Sequence, residues 1–254
     1  MKRIIHLSDL HIGDVSCTAH FQKVVTSIRA KVTHPEEYVI VVSGDLVDYV
    51  DDEQRTYHLA KQHLDELESV GFTVLVTPGN CDYWTGSKIE KKYDKHFKQV
   101  FYGDTDISYP KKDIIDGVAF LALDSMEGKT KKDSPIGTGC LGKKQLKRLK
   151  KILATPEVLA AKKVVVYLHH QPFRHPIPDR LLQDREEFKE ILFGKVDALL
   201  FGHTHESNSF HGKERIPRVY DGGTSTKKEG KISPHMIIDL SGDPADDIDG
   251  GFLA

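Results

Sequence analysis

Eight short apolar runs punctuate the chain: Ile4–Ser8, Tyr38–Val42, Thr73–Thr77, Val118–Leu123, Val164–Leu168, Ala198–Phe201, Val219–Asp221 and Met236–Leu240. Between many of them, apolar residues recur at helical spacing. Phe21, Val24, Val25 and Ile28 form one series; Tyr57, Ala60, Leu64 and Leu67 form another, closed by Gly71. Ile89, Tyr93, Phe97 and Val100 predict a short basic helix, Leu146, Leu149 and Leu153 a further one, and 186–192 the last. Apolar runs of this length without polar alternation are strands covered on both faces. Their alternation with helices restricts the chain to an α/β architecture with largely buried sheets.

The 254 residues contain no Pro/Gly-rich linker and no internal repeat, which predicts one domain over 1–240. The remainder, 241–254, carries four Asp and four Gly or Pro and reads as a flexible acidic tail. A net charge of -2 gives no pull toward nucleic acid or an anionic membrane surface. The lysine-rich stretch Lys143–Lys151 is expected to be a solvated helix face. Cys17, Cys81 and Cys140 are odd in number and lack C-x-x-C spacing, so a reducing compartment is expected. The apolar stretch at the N-terminus is too short for a secretion signal, and no run reaches the roughly 20 apolar residues of a membrane span. The expected location is the cytoplasm.

The chemistry lies where the runs end. The first ends in Ser8-Asp9-Leu10-His11, the second in Ser43-Gly44-Asp45-Leu46-Val47-Asp48, and the third in Gly79-Asn80-Cys81-Asp82. Two later ones end in His169-His170-Gln171-Pro172 and Gly202-His203-Thr204-His205. Ligands of open α/β sheets bind at the carboxyl ends of strands, so these residues are expected at one rim. Taken singly, each motif has an ordinary explanation: Asn80 holding a turn, or His170 as a satisfied core histidine. All five in order, each after a strand, leave little room for coincidence. Carboxylates, an amide and imidazoles are oxygen and nitrogen donors suited to Mn, Fe, Zn, Co or Ni. Seven donors (Asp9, His11, Asp45, Asn80, His169, His203 and His205) are too many for one ion with an open position, and two divalent ions sharing a carboxylate suit them better. Gly44, Gly79 and Gly202 are expected to let the chain turn tightly before the donors. The formal G-x-G-x-x-G of Gly137–Gly142 follows no strand and is set aside as a dinucleotide motif.

This set of motifs resembles the calcineurin-like metallophosphoesterase superfamily, from Met1 to about Leu240. Asp124-Ser125, Gly139–Leu141 through Gln145-Leu146, and His169–Pro172 resemble its cyclic-nucleotide phosphodiesterase branch. The resemblance implies an αββα sandwich, two β-sheets flanked by helices. It implies that Asp9, His11 and His205 hold one metal, that Asn80, His169 and His203 hold the other, and that Asp45 bridges them with a hydroxide that attacks phosphorus. Asp45, Asn80, Cys81 and Asp82 would then be the catalytic group. Asp48, His170 and again Asp82 would orient their neighbours.

Cys81 departs from the pattern. The family usually carries His between the Asn and the acid, to stabilise the transition state or protonate the leaving oxygen. A thiol is a poor donor with no positive charge. As a thiolate it would repel a monoester dianion more than a diester monoanion, so a small phosphodiester is the expected substrate. His170 or His11 is a substitute donor, and simple packing of Cys81 beside the loop is the plain alternative. The competing activities are a phosphomonoesterase and a nucleotide-sugar pyrophosphohydrolase. A nuclease would need a basic groove, and the competitor from another class is a non-catalytic metal-binding scaffold. Tyr83-Trp84, Phe173-Arg174-His175 and Asn208–Arg218 are the candidate specificity segments, with Arg174 as a candidate anion contact.

Overall fold

In the computed structural model, residues 3–129, 137–173, 175–177, 181–226 and 236–249 are described. The first sheet contains β1 (Arg3–Leu7), β2 (Tyr38–Ser43) and β3 (Thr73–Thr77) in parallel, with β10 (Met236–Asp239) antiparallel to β1 and β11 (Ile248–Asp249) antiparallel to β10. The second has the order β4-β5-β6-β7-β9-β8, made of β4 (Lys111–Ile115), β5 (Val118–Ala122), β6 (Lys163–Tyr167), β7 (Ala198–Phe201), β8 (Ser207–Lys213) and β9 (Ile216–Gly222). Within it β5, β6, β7 and β9 are parallel, and β4 and β8 close the two edges antiparallel.

The continuous apolar runs are explained by burial on both faces. Along β2, Ile40 and Val42 point to a core under the first helices, whereas Val39 and Val41 point to the core between the sheets. That inner core joins Ile4, Val39, Val41 and Leu75 of the first sheet to Val118, Phe120, Val165, Tyr167, Leu200 and Tyr220 of the second. Helices α1 (Val15–Lys31), α2 (Arg55–Glu68) and α3 (Tyr93–Tyr102) cover the outside of the first sheet. Helices α4 (Gly142–Ile152), α5 (Pro156–Leu159) and α6 (Arg185–Leu192) cover the second. The expected αββα sandwich is therefore the fold. Among the described residues, no helix is long and apolar enough to cross a membrane.

Three expectations need correction. Ile89 lies before α3, which begins at Tyr93. Strands β4 and β8 were not expected, because KKDII and SNSFHGK are edge strands with exposed positions and lack a continuous apolar run. The flexible tail does not begin at Ser241. β11 pairs with β10, and Asp247 accepts from Arg218 Nε at 3.0 Å, both side chains being almost fully buried. Arg218 Nη2 also donates to Asp239 O and Gly242 O at 2.9 and 2.6 Å. Residues 250–254 lie outside the described part.

Candidate metal centre

The five strand-end motifs meet at one rim, where the two sheets adjoin. Asp9, His11, Asp45, His203 and His205 all have positive φ, between 48° and 71°. For residues with a Cβ this left-handed backbone costs roughly 1–2 kcal/mol each, and it persists only where the surroundings impose it. Here it turns the chain sharply off each strand and aims successive side chains inward. Backbone bonds tie these turns together: Asp9 N–H donates to Gly44 O at 3.1 Å, and His11 N–H to Asp45 O at 3.0 Å.

The glycines act differently from expectation. Only Gly44 has positive φ, at 97°. Gly79 and Gly202 are required by close approach instead. A Cβ on Gly79 would lie 2.2 Å from Asp45 Oδ1, and one on Gly202 would lie 1.8 Å from Ser8 Oγ.

Ligand-type atoms converge in three overlapping groups: Asp9, His11 and His205; Asp45, His169 and His203; and His11, Asp45 and Cys81. Asp45 belongs to two of them and so lies between the halves. His205 Nε2 is 3.2 Å from Asp9 Oδ1 and 3.2 Å from His11 Nε2. His203 Nδ1 is 3.2 Å from His169 Nε2, which lies 3.3 Å from Asp45 Oδ2. Asn80 is 7% exposed, yet its Oδ1 accepts no hydrogen bond among the described residues. An orphaned buried carbonyl and two edge-on imidazole pairs whose nitrogens approach to 3.2 Å are costly arrangements for a protein alone. A divalent cation relieves them by taking the oxygen and both nitrogen lone pairs, so the donors present suit two such ions.

The electrostatics describe the protein before any ion binds. Burial opposes charge on His169, but Asp45 and Asp9 outweigh it and hold its pKa at about 10. Burial likewise opposes a charged Asp45, and His169 outweighs it, keeping that carboxylate ionised. His203 is pushed down to about 3 by burial and by His169, so it stays neutral. An ion held by His169 Nε2 would have to displace its proton, which would couple metal binding to proton release.

The supporting groups are now visible. His169 Nδ1 is 2.9 Å from Ser43 O, which leaves Nε2 facing the site. Ser43 Oγ in turn meets the buried His6 Nε2 at 2.8 Å. Asp9 Oδ2 accepts from Ser8 Oγ at 2.5 Å and from His203 N–H at 2.9 Å, leaving Oδ1 toward His205. Asp48 Oδ1 lies 3.4 Å from His11 Nδ1, a geometry that orients the ring. His170 is fully buried, with Nδ1 2.7 Å from Ser125 Oγ and its ring stacked obliquely 4.4 Å from that of His203. Sequence reading missed Ser8, His6, Ser43 and the backing role of Ser125.

Asp82 is placed differently from a catalytic group. Its carboxylate is fully buried and accepts from Leu46, Val47 and Gly79 N–H at 3.2, 3.1 and 2.8 Å. These bonds lock the second and third loops together, in keeping with the orienting role also expected of Asp82. Cys81 N–H donates to Asp45 Oδ1 at 2.7 Å, and its half-buried thiol is directed to the site. Burial and the Asp45 carboxylate push that thiol well above its ordinary pKa, so it is neutral in the ion-free protein.

The specificity segments also change. Tyr83 is buried and donates to Asp124 Oδ2 at 2.9 Å, and Phe173 packs on Phe201 and Phe210. Neither forms a rim. Asn208–Arg218 is most of the β8–β9 hairpin, and Arg218 is the buried partner of Asp247. Trp84 and His175 retain some exposure, while Arg174 lies outside the described residues. A cleft of about 290 Å³, lined by Tyr83, Asp124, Met126 and Arg148 among others, takes in none of the seven donors.

Three solved structures share this fold. A dimetal phosphatase from Danio rerio is 13% identical with a TM-score of 0.65, covering 99% of each chain. GAP50, the anchor in the inner membrane complex of Plasmodium, is 14% identical with a TM-score of 0.60, over 91% of this chain and 75% of that one. Purple acid phosphatase PPD1 from yellow lupin (Lupinus luteus) seeds is 13% identical with a TM-score of 0.51, over 82% of this chain and 38% of that one. At such identities the likeness speaks for the fold. No curated protein matches the sequence significantly. The sequence matches the calcineurin-like phosphoesterase family over residues 2–207, a span that holds all seven donors. With that match and the sandwich that carries it, the chain belongs to the calcineurin-like phosphoesterase family.

Proposed function

We propose that this protein is a two-metal hydrolase of small phosphodiesters. The observation that carries the reading is that Asp45 groups with His169 and His203 on one side and with His11 and Cys81 on the other, and His11 in turn groups with Asp9 and His205. Asp9, His11 and His205 would hold one ion, Asn80, His169 and His203 the other, and Asp45 would contribute to both. Two bound divalent cations would polarise the phosphoryl oxygens and lower the pKa of an attacking water. The chain's own residues do the rest. Asp48 and Ser43 fix the His11 and His169 rings. Asp82 fixes the loops that carry Asp45 and Asn80. Asn80 Nδ2 reaches Cys81 Sγ at 3.5 Å, so the amide and the thiol share one edge of the site.

The diester preference rests on Cys81. A thiol beside Asp45 is a poor proton donor, which suits a leaving group that needs little help. The likeness to the cyclic-nucleotide branch makes 3′,5′-cyclic nucleotides the first substrates to try. The runner-up is phosphomonoester hydrolysis, since two of the solved structures of like fold are named as phosphatases. A scaffold role, suggested by the fold of the Plasmodium anchor, is disfavoured by the complete donor set. The three cysteines are all free, which supports a reducing compartment such as the cytoplasm.

The test measures bound metals, then turnover of a generic diester, the matching monoester and 3′,5′-cyclic nucleotides. Cys81→His should raise the monoester-to-diester ratio about a hundredfold, the lower reach of a positioned acid. An unchanged ratio removes the role given to Cys81, and an ion-free wild-type protein removes the two-metal reading.

A further inference from the structure

A sixth strand end, beyond the family match at residue 207, braces both halves of the site. From Asp221 at the end of β9 the chain runs through Gly222-Gly223-Thr224-Ser225-Thr226, buried throughout. β9 belongs to the second sheet, yet this segment bonds to the end of β1 in the first. Ser8 N–H donates to Ser225 Oγ at 3.0 Å, and Ser225 N–H donates to Ser8 O at 2.8 Å. Thr226 Oγ1 donates to Asp9 O at 3.2 Å. Thr224 Oγ1 lies 3.0 Å from the same carbonyl and 2.8 Å from Thr226 O, one hydroxyl proton serving two acceptors.

The other end of the segment grips a different motif. Asp221 Oδ2 accepts from Thr204 Oγ1 at 2.5 Å, and Thr204 separates His203 from His205. Asp221 Oδ1 accepts from Gly223 N–H at 3.2 Å, which fixes the turn at the start of the segment.

These contacts meet the backbone where it is strained. Asp9, His203 and His205 have φ of 52°, 71° and 57°. A residue held there relaxes unless both of its peptide groups are secured. The Asp9 N–H is secured by Gly44 O, and among the described residues its carbonyl accepts only from the Thr224–Thr226 side. The donor atoms themselves are not touched by this segment in those bonds, so its role is positional.

We propose that Asp221–Thr226 is a positioning clasp for the metal centre. Thr224 and Thr226 set the Asp9–His11 turn, Asp221 sets the His203–His205 turn, and the segment keeps the two donor groups in register across the sheet junction. The proposal rests on the two-metal reading given above. Loss of partners that orient metal ligands costs about 10–100-fold in affinity. Removal of the two threonine hydroxyls should therefore weaken one of two ions selectively.

The experiment titrates chelated full-length protein with Mn²⁺ alone, by calorimetry and by electron paramagnetic resonance. Wild type should take up two ions that are spin-coupled. Thr224→Val with Thr226→Val, isosteric and without the hydroxyls, should weaken one step about 10–100-fold, leave the other unchanged and give an uncoupled signal at one equivalent. Thr224→Ser with Thr226→Ser should restore both steps. A valine variant that titrates like wild type overturns the clasp, as does equal weakening of both steps that serine fails to rescue. If the double variant does not fold, Thr226→Val alone is judged by the same readout. A wild-type protein that binds fewer than two ions would instead refute the two-metal reading itself.

Discussion

Asp45→Asn removes one negative charge and almost no volume from the middle of the site. The amide keeps an oxygen for the Cys81 N–H, now 2.7 Å from Asp45 Oδ1, so the loop has no cause to move. What changes is the counter-charge of His169, whose Nε2 lies 3.3 Å from Asp45 Oδ2. In the ion-free protein burial opposes charge on His169, and Asp45 with Asp9 overcomes it, raising the pKa from 6.5 to about 10. A group whose pKa is raised by folding stabilises fully below its unfolded value, and that contribution is lost as pH rises through the folded one. The shift is worth about 5 kcal/mol near pH 6, about 3 near pH 8 and under about 1 near pH 10. These are ceilings for the substitution, because Asp9 carries part of the shift. Burial and Asp45 also raise Asp82 to about 8, and losing Asp45 relieves that repulsion. Urea unfolding of chelated wild type and Asp45→Asn should show a stability gap that narrows steadily as pH rises. With Mn²⁺ supplied, the variant should lose more than the roughly hundredfold that an orienting partner is worth, since Asp45 groups with His11 on one side and with His169 and His203 on the other, and turnover should fall with loading. Equal stability at all three pH values, with full loading and turnover, would refute the reasoning.

Two further outcomes follow from close packing and buried charge. Gly79→Ala would put a methyl group 2.2 Å from Asp45 Oδ1, so metal stoichiometry should collapse while circular dichroism still reports a folded chain; normal loading would contradict the contact. Arg218→Met strands a buried Asp247, and breaking such a pair costs about 3–5 kcal/mol in denaturant unfolding. A loss below about 1 kcal/mol would mean that the C-terminal segment is not held as described.

Much of the architecture was readable because the inner strands are covered on both faces. Val39–Val42 and Val118–Ala122 have no alternation to misread, and their length marks them as strands rather than helices. The edge strands failed for the opposite reason. β4 and β8 have one pairing partner and exposed side chains, so their composition follows solvent rather than core. A signal for β4 existed in Asp116-Gly117, whose φ values of 49° and 80° form the tight hairpin turn to β5 that such a pair favours. The tail was misjudged because charge and Gly/Pro content predict solvation. One buried arginine, placed by β9, was enough to bring Asp247 inside.

The candidate donors could be picked out from sequence alone, because metal chemistry admits few residue types and each one stands shortly after a strand. Which side chains hold the donors in place was decided only by the tertiary structure. Asp82, expected from the resemblance both in the catalytic group and as an orienting acid, gives its carboxylate to three backbone amides. Asp221 and Thr226 are far from Asp9 and Thr204 along the chain and belong to no spaced motif. They meet only because two sheets abut at that rim, and a hydrogen bond depends on a few ångströms of distance rather than on position in the chain.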